Sequence, residues 1–208
     1  MLQRLVIASN NTAKSKEIID ILTVLGVVAV NYRELIAQVS FPAETTDNMR
    51  ENALVKATFL HKKLPNEYIL ADDSALFIPA IPDHFGVTTM REFIAQGLHE
   101  DAEINDYVLG LIPAEADRTA WISSYLELIT PQGTRFMTEG RTGTRVAKAP
   151  RGAALGLDNI METEIGLTTA EIAMPARINY LARGRAIMKM LVTLRTANEW
   201  QGQLPIEK

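Results

Sequence analysis

The chain has 208 residues, 47% of them hydrophobic, with 21 Lys and Arg against 25 Asp and Glu, a formal charge of −4, three His and no Cys. This length suits one large domain or two tightly joined lobes and carries enough apolar surface for a core without covalent staples. The lack of Cys excludes a disulfide framework, a thiolate nucleophile and a Cys-ligated zinc, and the mild acidity argues against a protein that coats a nucleic-acid polymer.

In chain order, Leu5–Ala8 reads as a buried strand, followed at once by Ser9-Asn10-Asn11. It is too short for a secretory leader. The longest apolar run, Val24 to Val30, falls far below the ~20 residues that span a bilayer. A cytoplasmic protein without a membrane partner is expected. Residues 12–25 carry Ile18, Ile21, Leu22 and Leu25 at helical spacing and stop at Gly26. A second strand is predicted over 27–30, a second helix over 47–64, and a strand over 68–71 running into Asp72-Asp73-Ser74. Two prolines make 78–83 a loop. Helices are predicted over 91–96 and 102–112. Two long strands, 119–130 and 134–145, join at Pro131-Gln132-Gly133, a hairpin signal. A small-residue loop covers 150–158, and Pro175 suits the start of a last helix reaching about Thr196. The alternation predicts an α/β fold with a mixed sheet.

Three segments carry candidate chemistry. Ser9 to Lys14 joins a strand to a helix, where free N–H groups and the dipole suit phosphate; an ordinary Asn cap with a solvated Lys14 is the competing reading. Asn52 and Lys56, four apart, share a helix face, as a phosphate ligand or as a plain solvated face. Asp72 and Asp73 are adjacent carboxylates at a strand end, where α/β proteins place ligands. They suit Mg²⁺, with Glu44 able to complete the site, or they form an Asp-rich turn that caps a helix. In the small-residue loop, Asp158 could accept hydrogen bonds from a base or ribose. Arg177, Arg183 and Arg185 either face a nucleotide or are solvated.

The order of these segments resembles the inosine triphosphate pyrophosphatase family. Its T-G-N-x-x-K-x-x-E stands here as Ser9-Asn10-Asn11-Thr12-Ala13-Lys14-Ser15-Lys16-Glu17. Glu44-Thr45, Glu51-Asn52-Ala53 and Lys56-Ala57 match its second motif at the same spacing, and Ala71-Asp72-Asp73-Ser74-Ala75-Leu76 matches A-D-D-S-G-L. Gly86 to Arg91 follows a later motif more loosely. The resemblance spans nearly the whole chain.

It implies an elongated mixed β-sheet with flanking helices, two lobes around a nucleotide cleft, and a homodimer. It implies hydrolysis of deaminated purine nucleoside triphosphates (ITP, XTP, dITP) to the monophosphate and pyrophosphate with Mg²⁺. Carried over by position, Ser9, Asn11, Lys14, Lys56, Ser74, Asp158, Arg177 and Arg183 would bind substrate. Glu44, Asp72 and Asp73 would hold the metal, and Asp73 would be the general base. The base-side motif G-[FW]-G-[YW]-D-P-x-F departs: Leu155, Leu157 and Asn159 replace the aromatics and the proline. The family's Ser-His pair has become Leu181-Ala182. A nucleotide-binding protein with shifted specificity or little turnover is the alternative.

Overall fold

The computed structural model describes residues 2–45, 47–153 and 156–203. Strand β1 (Leu5–Ile7) leads into helix α1 (Thr12–Val24). Asn11 is extended, and its side-chain oxygen accepts the Lys14 N–H at 2.9 Å, which sets the helix start. The stop is a Schellman turn: Gly26 (φ +73°) donates to Thr23 O and Val27 to Leu22 O. Closing that turn occupies Gly26 and Val27, so strand β2 begins two residues later than expected, at Ala29–Asn31. It pairs parallel to β1, Leu5 opposite Ala29 and Ile7 opposite Asn31.

Helix α2 spans Met49–His61, shorter than predicted at both ends. Asn48, not Asp47, caps it by accepting the Glu51 N–H at 3.0 Å, and Lys63 and Leu64 fold back onto Leu60 O as a turn. Strand β3 (Tyr68–Phe77) lies parallel to β1, with Ile69 beside Val6. It does not end at the aspartates; they sit in its middle. Beyond it come α3 (Thr89–Ala95) and α4 (Asp101–Leu111), the latter started by Glu103, which accepts the His99 and Glu100 N–H groups at 3.1 Å each.

The hairpin forms at the predicted place: Gly133 N donates to Thr130 O and Thr130 N to Thr134 O, joining β4 (Trp121–Ile129) to β5 (Arg135–Thr142). The second strand breaks where the sequence suggested continuity. Gly143 takes φ +87° with the Met161 side chain packed where a Cβ would stand, and only Arg145–Val146 (β6) resumes, antiparallel to β7 (Met161–Glu162). Pro175 opens a 3-10 turn over Ala176–Tyr180 instead of the last helix. Leu181 is extended, and α5 starts at Ala182 and ends at Thr196.

The main sheet has the order β2-β1-β3-β4-β5, a mixed sheet flanked by helices. The chain divides into two compact units. One holds residues through Asp73, Ser124–Gly140 and Arg183 onward; the other holds Ser74–Ser123 and Arg141–Ala182. In the first, α2 lays Ala57 and Leu60 on Val6, Ala8, Ile69 and Ala71. In the second, Phe85, Phe93 and Val108 pack with Ile160 and Met161. Full burial of each such Ile, Leu, Val or Phe contributes roughly 1.5–3 kcal/mol, which stabilises each unit from within without cross-links. No described helix is long and apolar enough to cross a membrane.

Candidate active site

Adjacent strand residues point to opposite faces of a sheet, and β3 uses this to separate its two aspartates. Asp73 shares the α2 face with Ile69 and Ala71, while Asp72 meets α1, α5 and β4 on the other. Asp72 has a fully buried side chain. Ser124 of β4 donates to its Oδ1 at 2.5 Å; Lys14 Nζ (2.9 Å) and Arg183 Nε (3.1 Å) reach its Oδ2. Arg183 also donates to Glu17 of α1 at 2.5 Å. Asp73 takes Asn52 Nδ2 on Oδ2 at 2.9 Å and Lys56 Nζ near Oδ1 at 3.3 Å.

The two lysines are therefore not solvated. Lys14, in the first turn of α1, is drawn inward by Asp72. Lys56 is 7% exposed, and its ammonium is surrounded by oxygen: Glu44 Oε1 and the Asp72 carbonyl at 2.9 Å, and Asp73 Oδ1. Its helix partner Asn52, 2% exposed, also receives the Thr45 N–H at 2.7 Å, tying the segment of Glu44 to α2.

Burial and charge pull these groups in different directions. At Asp72, burial is outweighed by the charges of Lys14 and Arg183 and by the Ser124 hydroxyl, which hold its carboxyl well below the usual range. At Asp73 burial prevails over Lys56, Lys14 and Asn52, helped by the Glu44 charge, and the carboxyl is pushed up. Burial also lowers Lys14 against the pull of Asp72. Lys56 faces the same burial, but Asp73 and Glu44 raise it overall. Two neighbouring carboxylates thus acquire different proton affinities, a pattern common at sites of acid–base chemistry.

Ser9 and Asn11 support the loop itself: Ser9 Oγ accepts the Asn11 N–H at 3.1 Å, and Asn11 caps α1. Ser74 follows Asp73 on β3, half-buried. Asp158 and Arg177, both in the second unit, form an ion pair with each other, and Thr169 donates to Asp158 Oδ1 at 2.9 Å. The structure thus unites Lys14, Glu44, Lys56, Asp72, Asp73 and Arg183 around β3, and separately Asp158 with Arg177. Leu155 lies outside the described residues. Glu17, Asn52 and Ser124 are parts of the first constellation that were not selected as site residues. Glu17 and Asn52 stood inside the motifs; Ser124, a lone serine in a strand, gave no signal.

Among the described residues no three His, Cys, Asp or Glu side chains converge on one point as a metal-binding group. The donor chemistry still fits a hard divalent cation. Carboxylate and carbonyl oxygens from Glu44, Asp73 and Asp72 already surround one cation, the Lys56 ammonium.

Known proteins are similar to this chain along most of its length. The Ham1 family model matches residues 5–193. A dihydroneopterin triphosphate diphosphatase of Limosilactobacillus reuteri is 36% identical over 92% of this chain and 97% of its own. A dITP/XTP pyrophosphatase of Leuconostoc mesenteroides is 31% identical over 90% and 94%. A solved HAM1 protein from Coxiella burnetii superposes with a TM-score of 0.75 at 27% identity, over 94% of this chain and 100% of that one.

Proposed function

Because this chain belongs to the Ham1 family, we propose that it hydrolyses nucleoside triphosphates to the monophosphate and pyrophosphate with Mg²⁺. The observation that carries this is the constellation on β3: two lysines and an arginine packed against two adjacent buried carboxylates whose proton affinities diverge. Charge balance supports the metal. Glu17, Glu44, Asp72 and Asp73 outnumber Lys14, Lys56 and Arg183 by one, so a polyanionic triphosphate needs a further cation to enter.

Lys14 and Lys56 turn from the aspartates to the phosphate oxygens, beside the N-terminus of α1. Arg183 stays on Asp72 and Glu17 and fixes the carboxylate. Asp73, made a stronger base by burial, accepts a proton from the attacking water. Glu44, Asp73 and the Asp72 carbonyl, the oxygens around the Lys56 ammonium, would hold Mg²⁺, which when bound neutralises charge on the phosphates. A single domain of two lobes acting in the cytoplasm as a homodimer is the accompanying proposal, and its mass in solution tests the dimer.

Two ring classes compete. The relatives named dITP/XTP pyrophosphatase favour a deaminated purine. A reduced pterin is favoured by the higher identity to the dihydroneopterin triphosphate diphosphatase, 36% against 31%. The test is pyrophosphate release with Mg²⁺ from ITP, XTP, dITP, dihydroneopterin triphosphate and the standard nucleotides, for wild type and Asp73→Asn. Release confined to one class and lost in the variant supports the reading and picks the ring. No release from any of them overturns it and leaves a binding protein.

A further inference from the structure

The chain leaves β2 through Asn31 and enters a 3-10 turn with Tyr32 and Arg33. Each of these three residues reaches across to the loop between β1 and α1. Asn31 donates through Nδ2 to Ser9 O at 2.9 Å and to Ser15 Oγ at 2.8 Å. Tyr32 donates its hydroxyl to Asn10 Oδ1. Arg33 donates Nη2 to Thr12 Oγ1 at 3.1 Å and Nε to Asn31 Oδ1 at 3.0 Å. All of these residues belong to the first unit. They lie at the carboxyl ends of the parallel strands β1 and β2, the side of an α/β sheet on which ligands are bound.

Asn31 and Tyr32 are explained by the fold. Both are buried, and each closes hydrogen bonds that the loop needs. Arg33 is not. It is only half-buried, and the loop beside it is exposed from Asn10 to Ala13. Its side chain meets two neutral oxygens and, among the described residues, pairs with no carboxylate. The adjacent Glu34 turns back to accept the Asn31 N–H at 3.2 Å.

A guanidinium carries five N–H donors in one rigid plane. Its side edge, Nε with the nearer Nη2 hydrogen, is taken by Asn31 and Thr12. Its end edge, Nη1 with the other Nη2 hydrogen, is left as a two-pronged donor. Fixing so long a side chain costs rotamer freedom, and two neutral acceptors return little. An immobilised, uncompensated fork is what two-point binding of a phosphate requires.

We propose that Arg33 is a further substrate-binding residue, whose end edge takes two oxygens of the triphosphate chain. This rests on the function proposed above, which puts the phosphates beside the start of α1, where Thr12 is the first residue. Lys14, in the same turn, comes from the side of Asp72. A point charge and a fork thus flank the helix start. Arg33 touches phosphate and not the ring, so its effect is the same for every base.

The experiment compares wild type, Arg33→Gln and Arg33→Lys in the presence of Mg²⁺. Calorimetry gives the Kd of inorganic tripolyphosphate, which carries no ring. KM and kcat are measured with ITP, dITP and dihydroneopterin triphosphate, and the thermal midpoint is taken without ligand. In Arg33→Gln the tripolyphosphate Kd and the KM of every substrate turned over should rise together by about tenfold, with kcat and midpoint little changed. Arg33→Lys, which keeps the charge without the fork, should recover part of that affinity. An unchanged tripolyphosphate Kd in Arg33→Gln overturns the assignment. So does a Kd weakened equally in both variants, because a merely structural role of the side edge is lost in each. If the wild type binds tripolyphosphate but releases no pyrophosphate, the proposed function fails and Arg33 is judged on the tripolyphosphate Kd alone. If it neither binds nor releases, both fail.

Discussion

The constellation around β3 and the turn around Asp158 handle charge in opposite ways. Around β3, Asp72, Asp73 and Lys56 are buried in strand and helix, and Lys14, Arg183, Glu17 and Glu44 close around them from partly exposed positions. Around Asp158 an ion pair with Arg177 and the Thr169 hydroxyl meet a short 3-10 turn, whose Asn159 amide also donates to Arg151 O and Ala153 O. A network rooted in strand and helix backbones keeps its geometry when one contact changes. A short turn held by side-chain contacts can be re-cut by few substitutions. The motif residues follow the same division: those on β3, α1 and α2 retain the family pattern, while Leu155, Leu157, Leu181 and Ala182 do not.

Substitutions break this comparison most sharply where charge is buried. Asp73→Asn should lower pyrophosphate release by about 10²–10⁴-fold, the span of a lost general base, with circular dichroism unchanged; a smaller loss would remove the base role. Asp72→Ala strands Lys14 and Arg183 on a buried face and should cost about 3–5 kcal/mol in urea denaturation. Asp158→Asn, in the less defended turn, should cost only about 1 kcal/mol, yet raise the KM of ring-bearing substrates while tripolyphosphate inhibition holds. If Asp158→Asn proved as costly as Asp72→Ala, the contrast between the two regions would collapse.

Acid titration gives the finest test. Glu92 of the second unit is held below its usual pKa against burial by His84, the Phe85 N–H and Tyr107. A carboxylate depressed on folding stabilises above its unfolded pKa and loses that contribution as pH falls through the folded value. Asp72 is depressed as well, so both contribute fully at neutral pH. Asp73 is raised, so the fold gains as it takes up a proton above the ordinary carboxylate range. Stability measured from pH 7 to 3 should therefore fall less steeply in Glu92→Gln than in wild type. Asp73→Asn should be more stable than wild type at neutral pH and should lose that advantage as the medium becomes acidic.

How far the sequence could be read follows from which forces act locally. The Asn11 cap, the Gly26 stop and the turn at Gly133 are decided by neighbours in the chain, and all were legible within a residue or two. The passage of β3 through Asp72-Asp73 was not, because charge within a strand is tolerated only when Lys14, Lys56 and Arg183 arrive from distant helices. The solvated readings of Lys14, Lys56 and Arg183 failed for the same reason. The motif order marked the residues that gather around β3, whereas Ser124 carries no local signal; only packing shows its contact with Asp72. The late start of α5 was hidden because Pro175 suits a 3-10 turn as well as a helix.

The placement of Asp72 and Asp73 on opposite faces of one strand also limits how this gene can change. A strand tolerates substitution at many positions, but its two-residue repeat leaves no room for a shift of one. Loss or gain of a single codon between Tyr68 and Asp72 would turn each aspartate toward the other's partners. The carboxylate that Lys14 and Arg183 keep charged would then face α2, and the one that burial makes basic would face them. Length variation in this part of the chain should therefore be tolerated before Tyr68 or after Phe77, and not between them.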